Sequence, residues 1–332
     1  MISFKEQLPD FAGRYHGGSF MTVKPPDFGG KPYRSLDYHL RDRYGEKIYK
    51  VSLDGGMTCP NRDGTLGKCG CIFCSEGGSG DFAGDRTHPI HQQIEEQKVR
   101  LSPKFPATHF IAYFQAYTNT YAPLSYLERI FTEAIEHEDI VGLSIGTRPD
   151  CLPDETLDLL SELNKKKPVT VELGLQTIHE RTAAFIRRGY KLSCFEDALK
   201  KLQEHKLETV VHTILGLPGE TTEDILETMR YLNAHHIDGI KLQLLHVLKH
   251  TDLADYYGQS GFHILSEDEY VDLVIRCLEV LSPDITIHRL TGDGPSDLLI
   301  APLWSLKKRS VLNHIHHELK VRDTWQGRLF TE

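Results

Sequence analysis

The chain has 332 residues, 39% of them hydrophobic and 26% charged, and a formal net charge of −9. That balance suits a folded protein with a sizeable core. No apolar run approaches the roughly 20 residues of a membrane span, and the opening MISFKEQLPDF is too polar for a signal peptide, so the chain reads as cytoplasmic and without membrane partners. The acidic balance also supplies no overall basic field to draw in nucleic acid.

Residues 1–45 read as a polar N-terminal extension, with PPDFGGKPY as an irregular stretch. From 46 to 283 the chain alternates between short apolar runs and amphipathic segments. The expected strands are 48–54, 109–114, 141–146, 169–175, 209–216 and 239–245. The expected helices include 123–136, 152–165 and 221–235, the last capped by Thr221 or Thr222 with acidic residues in its first turn. Strand–helix units in series imply an α/β fold with a parallel sheet and helices outside it. The sheet is expected to close into a full or partial barrel, whose chemistry gathers at the C-terminal strand ends. Residues 284–332 read as a C-terminal extension packing on the barrel. It contains a candidate further strand at 285–290 and a basic, His-rich helix at about 304–320.

Four of the seven cysteines crowd into the loop after the first strand, DGGMTCPNRDGTLGKCGCIFCSEGGSGDF (54–82). In a cytosolic chain, clustered thiols signal metal or redox chemistry rather than disulfides. Cys59, Cys71 and Cys74 are the candidate ligands of a 4Fe–4S cluster, with Cys69 a spare thiol. Three protein ligands on four irons leave one iron open to chelate the amino and carboxylate groups of S-adenosylmethionine (SAM). A four-thiolate zinc site is the competing metal reading, although Cys69-Gly-Cys71 is cramped for it. Loop thiols with no metal are the third. Phe73 would shield the cluster from water. Cys151, Cys194 and Cys277 read as ordinary buried residues.

TCPNRDGT (58–65), CIFC (71–74), YFQAYTNTYAP (113–123), GLSIGTRPDCL (142–152), ELGLQT (172–177), RRGY (187–190), HTILGLPGE (212–220) and RLTGD (289–293) together resemble the radical SAM superfamily. Within it they resemble the branch of the Elongator catalytic subunit and the smaller YtqA/YhcC-type proteins. The resemblance spans about residues 33 to 315. It implies a partial (β/α)6 TIM-type barrel, reductive SAM cleavage to a 5′-deoxyadenosyl radical, and an external reductant such as flavodoxin or ferredoxin. It also implies positions for SAM contacts. The segment Gln115 to Asn119, including Tyr117, would face the amino group. Ser144, Thr147 and Arg148 would lie beside the cofactor. Glu172 and Gln176 would reach the ribose, Arg187 or Arg188 the carboxylate, and His212 the adenine and substrate side. Two departures stand out. Gln-Ala-Tyr replaces the Gly-Gly-Glu run of many relatives, and the chain ends too soon for Elongator's acetyltransferase domain.

For a substrate, the resemblance points to tRNA wobble uridine and to conversion of 5-carboxymethylaminomethyluridine to 5-aminomethyluridine. The basic runs 165–167, 187–188 and 307–309, the aromatics Tyr113, Phe114, Tyr117 and Tyr121, and the stretch 243–251 are the residues that could serve RNA. A small-molecule or protein substrate remains open, as does a non-catalytic metal-binding module. Asp293 and Asp297 could touch substrate or cap a helix. His314 and His317 share a helical face, which reads better as solvated than as a second metal site.

Overall fold

Buried strands and one-sided helices assemble as the alternation requires in the computed structural model, which describes residues 26–78, 80–101 and 108–331. The readings made for residues 1–25 lie outside the described residues. The first helix of the described chain, α1 (Leu36–Tyr44), follows the irregular stretch and lies inside the polar extension expected at 1–45. Ser35 caps it by accepting from the Tyr38 N–H at 3.2 Å, and Gly45 closes it with φ of 73°. Leu40 is its only buried residue, so apolar periodicity had little to signal it.

The chain then runs through β1 (Tyr49–Leu53), the cysteine loop, α2 (Ile90–Leu101), β2 (Phe110–Phe114), α3 (Leu124–Glu136), β3 (Ile140–Thr147), α4 (Asp154–Lys166) and β4 (Val169–Gln176). Two helices, α5 (Glu180–Phe185) and α6 (Leu192–Glu204), lead to β5 (Glu208–Leu215). Next come α7 (Thr222–Ala234), β6 (Gly239–Leu244), β7 (Val247–Leu248), α8 (Asp252–Ser260), α9 (Glu267–Val280), β8 (Thr286–Arg289), β9 (Leu299–Ala301) and α10 (Lys308–Val321). Thr221, not Thr222, caps α7, in a capping box with Asp224. The expected helix at 304–320 begins as a 3₁₀ turn, Leu303–Lys307, before α10.

Seven strands form one parallel sheet in the order β1-β2-β3-β4-β5-β6-β8. The candidate strand at 285–290 is therefore its seventh member. The sheet curls into a partial barrel, so that Lys50 on β1 reaches Glu172 on β4 at 2.6 Å. Helix α3 buries Leu127, Ile130, Phe131, Ala134 and Ile135, a stripe at three- and four-residue spacing, against the outer face. Truncating one such residue, Leu127→Ala, costs about 2–5 kcal/mol. The antiparallel pair β7–β9, which the sequence did not signal, lies near the barrel's C-terminal end. No helix among the described residues is long and apolar enough to cross a membrane.

Candidate cluster and cofactor cavity

The inner face of the barrel is polar because inward positions recur every second residue along each strand. Lys50 and Ser52 on β1, Tyr113 on β2, Ser144 on β3, Glu172 on β4, His212 on β5 and Lys241 and Gln243 on β6 occupy such positions. Above them, at the C-terminal strand ends, opens a cavity of about 900 Å³. Cys59, Cys71 and Cys74 line it, together with Gln115, Thr147, Arg148, Gln176 and His212. Cys69 is exposed and does not line it.

The thiols fit a cluster better than a zinc ion. Tetrahedral zinc at about 2.3 Å from each sulfur would draw the sulfurs to roughly 3.8 Å of one another. Among the described residues, the loop cysteines form no group of three whose sulfurs lie within 4.8 Å of each other. Three thiols around a wide cavity, with the fourth turned away, suit a bulky core with one open corner.

Neighbours prepare one thiol, that of Cys71, for metal. The Cys71 thiol is held down to about 7, first by its hydrogen bond with Cys74, then, against burial, by Arg148, Asn61 and Arg62. Its partner Cys74 is pushed up by that same hydrogen bond and by burial. The ligand form is the thiolate. Asn61 ties the loop to the RRGY segment, donating from Nδ2 to the Arg187 carbonyl at 2.8 Å and the Arg188 carbonyl at 3.2 Å, beside Cys71 Sγ at 3.5 Å. A Cβ at Gly189, whose φ is +84°, would stand 2.5 Å from Asn61 Oδ1. The RRGY backbone thus serves as a brace for the cysteine loop.

The residues expected to face SAM divide into two groups. Gln115, Tyr117, Thr147, Arg148, Glu172, Gln176, Arg188 and His212 line the cavity. Tyr117, Gln176 and Arg187 hold left-handed φ values of 60°, 64° and 56°, a conformation that costs non-glycine residues energy and gathers at functional sites. Arg148 clamps Asp150 with two hydrogen bonds, at 2.9 and 2.7 Å, and donates to the Arg188 carbonyl at 2.9 Å. Arg188 is buried, not surface charge. Its guanidinium donates to the carbonyls of Leu175, Thr177 and Tyr190 and lies over the Tyr190 ring.

Asn119, Ser144 and Arg187 do not line the cavity. Asn119 is fully buried and donates to the Phe114 and Gly146 carbonyls at 3.1 and 2.8 Å, locking β2 to β3. Ser144 lies a layer deeper and donates to Glu172 Oε1 at 2.6 Å. The Arg187 side chain runs outward to pair with Asp252 on α8.

Glu172 is the hub of the barrel floor. Ser144 and Lys50 meet one of its oxygens at 2.6 Å each, while Lys241 and His212 (the latter at 2.6 Å) meet the other. Burial would raise its carboxyl, but Lys241, Lys50 and His212 outweigh burial and hold it well below the usual carboxylate range. Burial and Lys241 press His212 down to about 4, so the neutral ring donates to Glu172. Lys50 and Lys241 escaped the sequence reading, and Arg289 was seen only as part of RLTGD, with no role given. The available signal was a lysine in mid-strand at alternating positions, in YKVSL and GIKLQL.

Some expected RNA contacts are corrected here. Phe114 is fully buried edge-on against Phe131, because it points outward under α3, and cannot stack a base. Tyr113 is buried in the floor, its hydroxyl accepting from Lys241 at 3.0 Å. Tyr117 donates to the Glu76 carbonyl at 2.5 Å, with Arg62 and Arg86 over its ring, and Tyr121 meets Thr65. Asp293 pairs with Lys308 and Arg289 at the mouth. His314 meets Glu267 at 3.0 Å, and it belongs to neither group of metal-type ligands found among the described residues.

A thiol loop after the first strand of an open parallel barrel, facing a polar lumen, defines the radical SAM class. The model of the radical SAM superfamily matches residues 59–232, and that of the radical SAM C-terminal domain residues 237–321. The chain belongs to this superfamily, a family of enzymes that use a 4Fe–4S cluster and SAM. It is 46% identical to YtqA of Bacillus subtilis (strain 168) over 300 residues, 90% of this chain and 93% of that protein. It is 36% identical to YhcC of Escherichia coli (strain K12) over 266 residues, 80% of this chain and 85% of that one. Against Elongator complex protein 3 of Schizosaccharomyces pombe it is 28% identical over 162 residues, 48% of this chain but only 29% of that protein. The fold is similar to that of an archaeal Elp3 from Methanocaldococcus infernus, with a TM-score of 0.65 at 16% identity, over 84% of this chain and 64% of that one.

Proposed function

We propose that this enzyme modifies the C5 side chain of tRNA wobble uridine, converting 5-carboxymethylaminomethyluridine to 5-aminomethyluridine. The observation that carries the reading is one cavity in which three thiols stand across from a cationic barrel wall, in a chain similar to the Elongator branch. Cys59, Cys71 and Cys74 would hold the cluster, leaving Cys69 out. Bound there, the cluster would supply the single electron that reductive SAM cleavage needs, and with it the means to abstract a hydrogen atom from substrate. Flavodoxin or ferredoxin suits the role of reductant.

The chain's own residues bind and orient. Gln115 and the strained Tyr117 stand after β2, on the side we assign to the SAM amino group. Thr147 and Arg148 follow β3, and Gln176 follows β4, within reach of a ribose. Arg148 faces the thiols as a fixed cation, because its pairing with Asp150 outweighs burial and secures its charge. Phe73 and Leu245 also line the cavity and limit water near the thiols.

Two measurements test this. Anaerobically reconstituted enzyme with SAM and dithionite should release 5′-deoxyadenosine; none would remove the catalytic reading. Nucleoside mass spectrometry of tRNA from a deletion strain should show 5-carboxymethylaminomethyluridine accumulating at the expense of 5-aminomethyluridine. Unchanged wobble uridines would remove the tRNA reading alone.

A further inference from the structure

The barrel floor and the cavity wall above it together carry more cations than their carboxylates can neutralise; Lys50 lies beneath the cavity, while Lys241, Arg289 and Lys308 line it. At the floor, Glu172 is shared between Lys50 and Lys241. At the mouth, Asp293 is shared between Arg289 and Lys308. Two carboxylates therefore serve four cations, on a chain whose net charge is −9. His212 adds no positive charge, since it is neutral above about pH 4. Lys241 and Arg289 are direct partners in the β6–β8 ladder, so two cations sit side by side on adjacent strands. Burial, together with Lys50 and Arg289, presses the Lys241 amine down to about 7, even against the pull of Glu172, so near neutral pH it is only part-protonated and an arriving carboxylate would restore its full charge. Buried like charges persist where something of opposite sign completes them.

We propose that Lys241 and Arg289 form the seat for a carboxylate at the end of the substrate's side chain. This rests on the function proposed above and deepens it, since a carboxymethylaminomethyl group ends in a carboxylate. Depth selects the ligand. Lys241 is only 5% exposed, at the bottom of the cavity we assign to the cofactor as well, so a backbone phosphate flanked by two sugars cannot reach it. A slender, flexible arm ending in a planar carboxylate can. Arg289 offers a fork of donors matching the two oxygens, and Lys241 offers a point charge. With the carboxylate anchored, the carbon atoms along the arm are held under the cofactor, and uridines lacking the charge gain no such anchor. The other carboxylate that could occupy the seat is SAM's own, and the two sources separate experimentally.

The test uses two synthetic anticodon stem–loops that differ only in whether the wobble side chain ends in a carboxylate or the isosteric carboxamide. The holoenzyme is assayed anaerobically for kcat/KM on each and for SAM affinity. Wild type should prefer the acid by at least about 10-fold. Arg289→Gln and Lys241→Met should bring the preference close to unity while leaving the SAM dissociation constant unchanged. Arg289→Lys should restore part of it. Arg289→Gln keeps the test decisive if Lys241→Met folds poorly, because Arg289 lies nearer solvent. Equal turnover of both loops by wild type, or a preference that survives both variants, overturns the seat while the uridine reading stands. A SAM affinity that falls in step with the preference assigns the seat to the cofactor and also overturns the proposal. Turnover of neither loop by an enzyme that still cleaves SAM overturns the uridine reading, and the seat with it.

Discussion

The cysteine loop and the barrel floor are both parts of one cavity, yet they are built in opposite ways. The loop gathers its thiols from a segment of 16 residues, Cys59 to Cys74, on irregular backbone that its own Asn61 ties to the RRGY turn outside it. The floor gathers Lys50, Ser144, Glu172, His212 and Lys241 from five different strands, and its charges are bonded to one another before any ligand arrives. The loop therefore suits the inorganic group we assign to it, whereas the floor is a preorganised electrostatic surface. Damage to the loop should remove chemistry and spare the fold. Damage to the floor should unsettle the fold itself.

The largest effect expected is loss of the cluster. Cys59→Ala, Cys71→Ala and Cys74→Ala should each abolish iron content, the broad visible absorption and SAM cleavage, with little change in unfolding midpoint. Cys69→Ala should retain all three, and loss in that variant would mean the ligand set is wrong.

Removing the Glu172 carboxylate at the centre of the floor comes next. Glu172→Ala leaves Lys50 and Lys241 buried without their counter-ion, and urea unfolding should show a destabilisation of about 3–5 kcal/mol. Glu172→Gln keeps the shape and should cost less. A change below about 1 kcal/mol for Glu172→Ala would erase the distinction between floor and loop.

A pH dependence follows from His212. Above its ordinary pKa of 6.5 the ring is neutral in both folded and unfolded chains, and it contributes no slope. Below 6.5 the unfolded chain takes up a proton, while the folded ring stays neutral down to about 4. The unfolded state then binds more protons, so stability falls as pH drops through that window, by up to about 3 kcal/mol. The loss should shrink in His212→Gln when the two proteins are unfolded in parallel at pH 7 and pH 4.5. Equal losses would place the sensitive group elsewhere.

The smallest effect sharpens the comparison at the join between brace and loop. Gly189→Ala meets a φ of +84° and a contact of 2.5 Å with Asn61 Oδ1. It should cost about 1–3 kcal/mol. Because Asn61 adjoins Cys71, it should also speed iron loss to a chelator, which a purely local strain would not do.

Much of this protein was legible in order along the chain. The six expected strands formed, the candidate at 285–290 completed the sheet, and the thiol loop declared itself, because alternation, capping residues and cysteine spacing are local signals. Helix α1 and the β7–β9 pair went unread, since one buried leucine and strands of two and three residues carry almost no periodicity. The same limit governed the site. RRGY could be seen, but not that the Arg188 side chain turns inward to three carbonyls while Arg187 turns outward to Asp252.

What the sequence determined by itself was the class of fold and the place proposed for the metal chemistry, because both are written in residues close together in the chain. Only the tertiary structure decided which polar side chains share the lumen. A curled parallel sheet brings every second residue of distant strands to one axis, and pairing across that axis sets their charge. No run of neighbouring residues contains that information, so Glu172, Ser144 and His212 could be named in advance, but neither their pairing nor the lysines Lys50 and Lys241 that complete it.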